Sequence, residues 1–296
     1  MGRAGLSSLT AIVLLATSSP GASEPGIELA AVLEEANDAP AFVPLGEHSR
    51  LGTQDADPLG AGAWQFQVNY GHERSLRQWD RAWSATRRER ASMRQTEAVF
   101  TYGASDALDL GLAIGFARVD DDASGLKAGS GFSDVVLSAK WRFLEDASRH
   151  LAYAFVPALT IPTGAKSTAR SLRPGQEYWG VDLRLAMVKD WSPRWSTNLD
   201  VGYEAFVGDR SDSLGGLGAN LALGYFLVSW FQPQVEIHYG HDFARIGSDA
   251  SLFAVTVGAV APLSDALCAR VGLRQGIAGR NADQLRTFLL SLDVNF

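Results

Sequence analysis

Cysteine is nearly absent from this chain. The one thiol among 296 residues, Cys268, cannot close an intramolecular disulfide or by itself build a Cys-type zinc site, so neither kind of staple holds the fold. An excess of basic residues is lacking too. The 26 Lys and Arg against 33 Asp and Glu give a net charge of −7, which disfavours nucleic acid bound through bulk charge. Beyond the N-terminus no long apolar run exists: the nearest, LFAVTVGAVAPL at 252–263, is too short for a membrane helix and is interrupted at Pro262. No Gly-x-Ser-x-Gly or other nucleophile context is present, and HYGHD at 238–242 divides its two His and one Asp between strand faces and a loop start. Catalysis, a resident metal and a cofactor are therefore not expected. With 46% hydrophobic and only 20% charged residues, disorder is disfavoured as well.

What is present begins with a directional signal. Arg3 precedes the apolar stretch LTAIVLLAT (9–17), followed by SSPG and the small residues Ala22 and Ser23, the layout of a secretory signal peptide over 1–23. An exported chain without a spanning helix is either soluble or crosses an outer membrane as a closed sheet, because lipid leaves no backbone polar group unpaired.

The period of the apolar residues decides between these. WQFQVNY (64–70) sets Trp64, Phe66, Val68 and Tyr70 against Gln65, Gln67 and Asn69, a period of two. The same alternation runs through SDVVLSAKWRF (133–143), WSTNLDVGYE (195–204), QVEIHY (234–239) and the C-terminal 285–296. About twelve such segments follow residue 62, each of about ten to thirteen residues, the length of a tilted strand that crosses a bilayer. The connections alternate in length: GASDA (103–107), EDASR (145–149), KDWSPR (189–194), VSWF (228–231) and PLSDA (262–266) are tight turns, and those between them are mostly longer. The fold expected is all-β, a closed antiparallel transmembrane β-barrel over 62–296 with short periplasmic turns and longer extracellular loops. Aromatics near the segment ends, among them Trp64, Tyr102, Trp141, Trp195, Tyr203 and Tyr225, would form two interfacial girdles. Phe296 would close the last strand at the periplasmic rim, where a terminal aromatic resembles the signal read by the barrel assembly machinery.

GFSDVVLSAKWRFLED (131–146), LAYAFVPALTIPTGAKS (151–167), STNLDVGYE (196–204) and the strand-turn-strand TYGASDALDLGLAIGF (101–116) resemble the pattern of the family named for the MetA pathway of phenol degradation. The resemblance spans about 62–296. It implies an outer-membrane protein of a Gram-negative bacterium that carries small hydrophobic or aromatic solutes.

Inward-facing polar residues would line the pore. Among charged residues and His, alternation selects Glu97, Asp109, Asp134, Lys140, Arg142, Asp182, Arg184, Asp200, Glu204, Glu236, His238, Arg270 and Arg274. Opposed charges in a wet lumen would set a transverse field that orders passing solutes. Alternatively they pair across the lumen and fill it. Residues 24–61 do not read as strand: IELAAVLEEAND (27–38) suits one amphipathic helix, and the segment is either a periplasmic leader or a plug. The basic stretch RSLRQWDRAWSATRRERASMR (74–94) reads as an extracellular loop in which Arg74, Arg77, Arg81, Arg87, Arg88 and Arg90 would meet lipopolysaccharide phosphates, nucleic acid being excluded by the location. Passive transport of small solutes is the leading function, ahead of a closed structural or adhesive barrel and of a lipid-modifying enzyme.

Overall fold

A computed structural model describes residues 51–208 and 213–296. The expected signal peptide and the helix at 27–38 lie outside the described residues.

Thirteen strands form one antiparallel sheet: β1 (Trp64–Trp79), β2 (Ala85–Ser105), β3 (Leu108–Asp121), β4 (Gly129–Phe132), β5 (Val135–Asp146), β6 (Leu151–Ile161), β7 (Trp179–Asp190), β8 (Trp195–Val207), β9 (Ser213–Tyr225), β10 (Gln232–Ala244), β11 (Ala250–Ser264), β12 (Leu267–Arg280) and β13 (Asp283–Asn295). β13 pairs with β1, so the sheet has no free edge. β4 and β5 both pair with β3, at Phe116–Val119 and Leu108–Ala113 respectively. They share one place in the wall, which makes a twelve-stranded barrel with one extra short strand.

The barrel is polar inside and apolar outside. Phe100, Ile114, Leu137, Leu185, Val201, Leu217, Ile237, Val257 and Leu273 are exposed on the outer wall, whereas Asp109, Asn198, Asp200, Gln234, Glu236, His238 and Asp293 are buried within. A soluble sandwich would show the reverse, so the alternation finds its explanation in a lipid-facing band. Aromatic pairs rim that band at the end bearing the chain terminus, Trp64 with Tyr102 and Trp195 with Tyr225, ring centroids 4.6 Å apart in each. Phe296 is held there by two backbone hydrogen bonds with Trp64: its N–H donates to the Trp64 carbonyl at 2.8 Å and its carbonyl accepts from the Trp64 N–H at 3.2 Å. At the opposite rim Phe116 meets Phe132 edge to face, and Tyr70 lies near Phe288.

One expectation is corrected. The basic stretch 74–94 is not a loop: β1 and β2 continue through it as a ladder past the lipid band, and only Asp80–Ser84 turn. Arg74, Arg77, Arg87, Arg88 and Arg90 lie on strands, with Arg81 in the turn. Above the membrane both faces of a hairpin meet water, so its residues need not alternate, and the period of two that reveals a half-buried strand disappears.

Candidate functional site

The chain reaches β1 from inside the barrel. Residues 51–60 run along the inner wall, and carboxylates of that wall accept the segment's backbone N–H groups: Leu51 N donates to Glu236 Oε1 at 2.8 Å, Gln54 N to Asp200 Oδ2 at 2.8 Å, and Leu59 N to Asp109 Oδ1 at 3.1 Å. Lys140 binds the Asp55 carboxylate and the Asp57 carbonyl, while Arg142 Nη1 stands 3.9 Å from the Asp57 carboxylate. Small side chains make the room. Ala56 is fully buried among Ala152, Ala154, Val156, Ala186 and Val188, and a methyl group on Gly272 would stand 3.0 Å from Leu51. Gly60 and Gly62, at φ +93° and +81°, take the chain out of the lumen and into β1 by a path that side-chain-bearing residues rarely adopt.

Behind the segment the wall is one connected network. Arg274 Nε donates to Thr256 Oγ1 at 3.1 Å, which leaves the Thr256 hydroxyl hydrogen for His238 Nε2 at 2.7 Å. His238 Nδ1–H then donates to Asn220 Oδ1 at 2.8 Å, and Asn220 Nδ2 to Asp200 at 2.9 Å. Asp200 also accepts from Arg184 Nη1 at 2.6 Å, and Arg184 binds Asp182 at 3.0 Å. In this direction His238 donates from Nδ1 and accepts at Nε2, a nitrogen that also stands 3.4 Å from Glu236 Oε2. The network ties β7 to β12. Such charges stabilise a wall only while every partner is present.

On the other side of the segment lies a cavity of about 780 Å³ against β1, β2 and β13. Its lining differs from the network in kind: Gln65, Gln67, Asn69, Gln95, Thr101, Ser291 and Asn295 present amides and hydroxyls, with Val99 and Val156 among them. Glu97 is held by Asn69 Nδ2 at 3.2 Å and is the carboxylate of this wall without a cation partner among the described residues. Arg270 reaches the cavity but is bound to Asp293.

The charged residues selected by alternation thus separate. Glu97, Asp109, Lys140 and Arg270 line the cavity. Asp182, Arg184, Asp200, Glu236, His238 and Arg274 belong to the network behind the inner segment, and Glu204 lies on the inner face of β8 beside Gly180. Arg142 bonds Glu145 and the Asp106 carbonyl near the lower rim. Asp134 is not among the residues of this cavity: its two oxygens accept from Gly164 N and Gln176 N, both at 2.7 Å, while Thr163 Oγ1 accepts from Val135 N. This staple fastens the long connection 162–178, whose Leu172 is fully buried against β4. Asp134→Ala removes both bonds, each about 1.5–3 kcal/mol for a charged acceptor. Trypsin is expected to cut the variant at Lys166 or Arg170 faster than the unmodified protein.

Alternation turns Gln65, Gln67 and Asn69 inward, and a plug is one of two readings of residues 24–61; Gln95, Thr101, Ser291 and Asn295, inward on β2 and β13 beside Glu97 and Asp293 by the same parity, are the lining residues that sequence reasoning missed.

The profile of the family described as "Putative MetA-pathway of phenol degradation" matches residues 65–281. Among solved structures, an outer membrane channel from Pseudomonas putida F1 is similar at 21% identity with a TM-score of 0.72, over 83% of this chain and all of that one. The β domain of the Bordetella autotransporter Brka is similar at 10% identity with a TM-score of 0.51, over 79% of this chain and all of that one. At these identities the likeness is one of fold. No curated protein matches.

Proposed function

The chain belongs to the MetA-pathway phenol-degradation family, and on that premise we propose that it is an outer-membrane channel for passive passage of small, partly apolar solutes, hydroxylated aromatics foremost. The observation that carries this reading is the 780 Å³ cavity beside the inner segment. Its amides and hydroxyls can each donate or accept, so a solute hydroxyl exchanges partners along the wall without a deep energy well. Val99 and Val156 offer contact to a ring. Glu97 has no cation partner among the described residues, so when ionised it disfavours anions. The apolar outer wall and its two aromatic rims support placement in an outer membrane.

The test is ionic current through the full-length protein in a planar bilayer. A neutral hydroxylated aromatic should interrupt the current with a frequency proportional to its concentration, and an aromatic carboxylate should not. Glu97→Gln should lower cation preference and admit the carboxylate. Bilayers without current steps would favour a second reading, a closed structural barrel, which the packing of residues 51–60 against the inner wall supports.

A further inference from the structure

Four arginines lie side by side on the outer wall where β13, β1, β2 and β3 meet at the closing seam. Arg74 is directly opposite Arg286, and Arg94 directly opposite Arg118. Arg74 and Arg94 are diagonal neighbours, since Arg74 pairs with Ser92 and Arg94 with His72. All four are exposed and share the face of Phe116, Phe288 and Leu290. Like charges directly opposite one another destabilise a sheet. Here the seam repeats the arrangement across four strands, about 14 Å at the usual strand spacing.

Among the described residues no carboxylate is paired with the stripe. Asp120 is taken by Arg90 at 2.9 Å, and Asp121 and Asp283 both bind Arg88. Arg286 is steadied by a neutral group, its Nε donating to Gln275 Oε1 at 2.9 Å. A counter-charge from outside the protein would relieve the repulsion. Directly below the stripe stand Tyr70, Phe288, Phe116 and Phe132. A ligand that fits is anionic where it meets the guanidiniums and apolar where it meets the rings.

We propose that this seam binds a phosphorylated glycolipid of the outer leaflet, of the lipopolysaccharide class, with two phosphates on the arginine stripe and acyl chains on the aromatic wall beneath. Guanidinium is the side chain suited to phosphate, which it binds through two parallel hydrogen bonds. The residues differ from those chosen by sequence alone: Arg88 and Arg90 are occupied by carboxylates, whereas Arg118 and Arg286, outside the basic stretch, enter. The proposal rests on the outer-membrane placement above but not on an open pore.

The experiment is lipid binding to the full-length protein in detergent, read by native mass spectrometry, with bisphosphorylated lipid A, its dephosphorylated form and inorganic phosphate as probes. The unmodified protein should retain bisphosphorylated lipid A at least tenfold more tightly than the dephosphorylated form, lose it in high salt, and ignore millimolar phosphate. R94Q/R118Q should abolish the preference, while R81Q/R87Q at the hairpin tip should keep it. Thermal stability supplies an independent sign: without lipid R94Q/R118Q should melt no lower than the unmodified protein, because repulsion is relieved, and with lipid the order should reverse. Equal retention of the two lipids by the unmodified protein would overturn the proposal. So would a preference that survives R94Q/R118Q, or displacement by inorganic phosphate, which would make this an anion site without a lipid. Bilayer current is measured on the same variants and should be unchanged. A protein that binds lipid but carries no current keeps this inference and loses the channel.

Discussion

Deletion of residues 51–60 is expected to raise single-channel conductance severalfold. The segment occupies the lumen beside the cavity and is held by Asp109, Asp200 and Glu236, with Lys140 on Asp55. Its removal returns that volume to water, takes one backbone donor each from Asp109, Asp200 and Glu236, and parts Lys140 from the Asp55 carboxylate. The current should therefore grow more than the added cross-section alone would give, because released charges concentrate counter-ions. The deletion begins after residue 50 and leaves Ala61 onward, so the Gly62–Gly103 backbone bond and the closure of β1 on β13 remain. Planar-bilayer recording compares the two proteins directly. Equal conductance would mean that ions do not pass this segment.

The largest stability effect is expected from Asp200→Leu. Asp200 is fully buried and accepts from Arg184, from Asn220 and from Gln54 N, so its loss leaves one guanidinium, one amide and one backbone N–H short of an acceptor. Removing one partner of a buried pair costs about 3–5 kcal/mol. Asp182→Asn is the control. Asp182 is a quarter exposed in its side chain, and Arg184 keeps Asp200 when Asp182 is neutralised, so that variant should lose far less. Urea unfolding in detergent, followed by the loss of the compact form on unheated gels, measures both. Equal losses would show that Arg184 does not depend on Asp200.

Much of this was legible in the sequence because a barrel wall in lipid has a strict physical period. Phe288, Leu290 and Leu292 must face lipid and Asp293 must not, and a shift of one residue would reverse every one of them. That constraint placed the membrane strands and the inward charges. It is silent where its cause is absent. The hairpin above the membrane, from Arg74 to Arg94, has water on both sides, so it read as a loop although β1 and β2 run through it. Residues 24–61 read as either a leader or a plug, and the contacts that seat the inner segment, 51–60, in the lumen were illegible for a related reason. Its hold on the barrel is made by backbone N–H groups, which every residue but proline carries, and by carboxylates on distant strands, with Leu51 and Glu236 separated by 185 positions. Asp134 illustrates a third case: alternation correctly turned it inward, but only the path of 162–178 shows that it fastens Gly164 and Gln176.

Passage of solutes and ions along the amide-lined wall of β1, β2 and β13, as proposed, is decided by Gln67→Cys in a Cys268→Ala background, recorded in a planar bilayer while a water-soluble, charged thiosulfonate is added. Gln67 lines the cavity, whereas Asn198 on β8 is fully buried behind the network and serves as the second cysteine position. The result expected is a stepwise fall in current for Gln67→Cys and none for Asn198→Cys. A Gln67→Cys channel that conducts but does not respond, or a response confined to Asn198→Cys, would contradict the claim and move the route to the other side of the lumen.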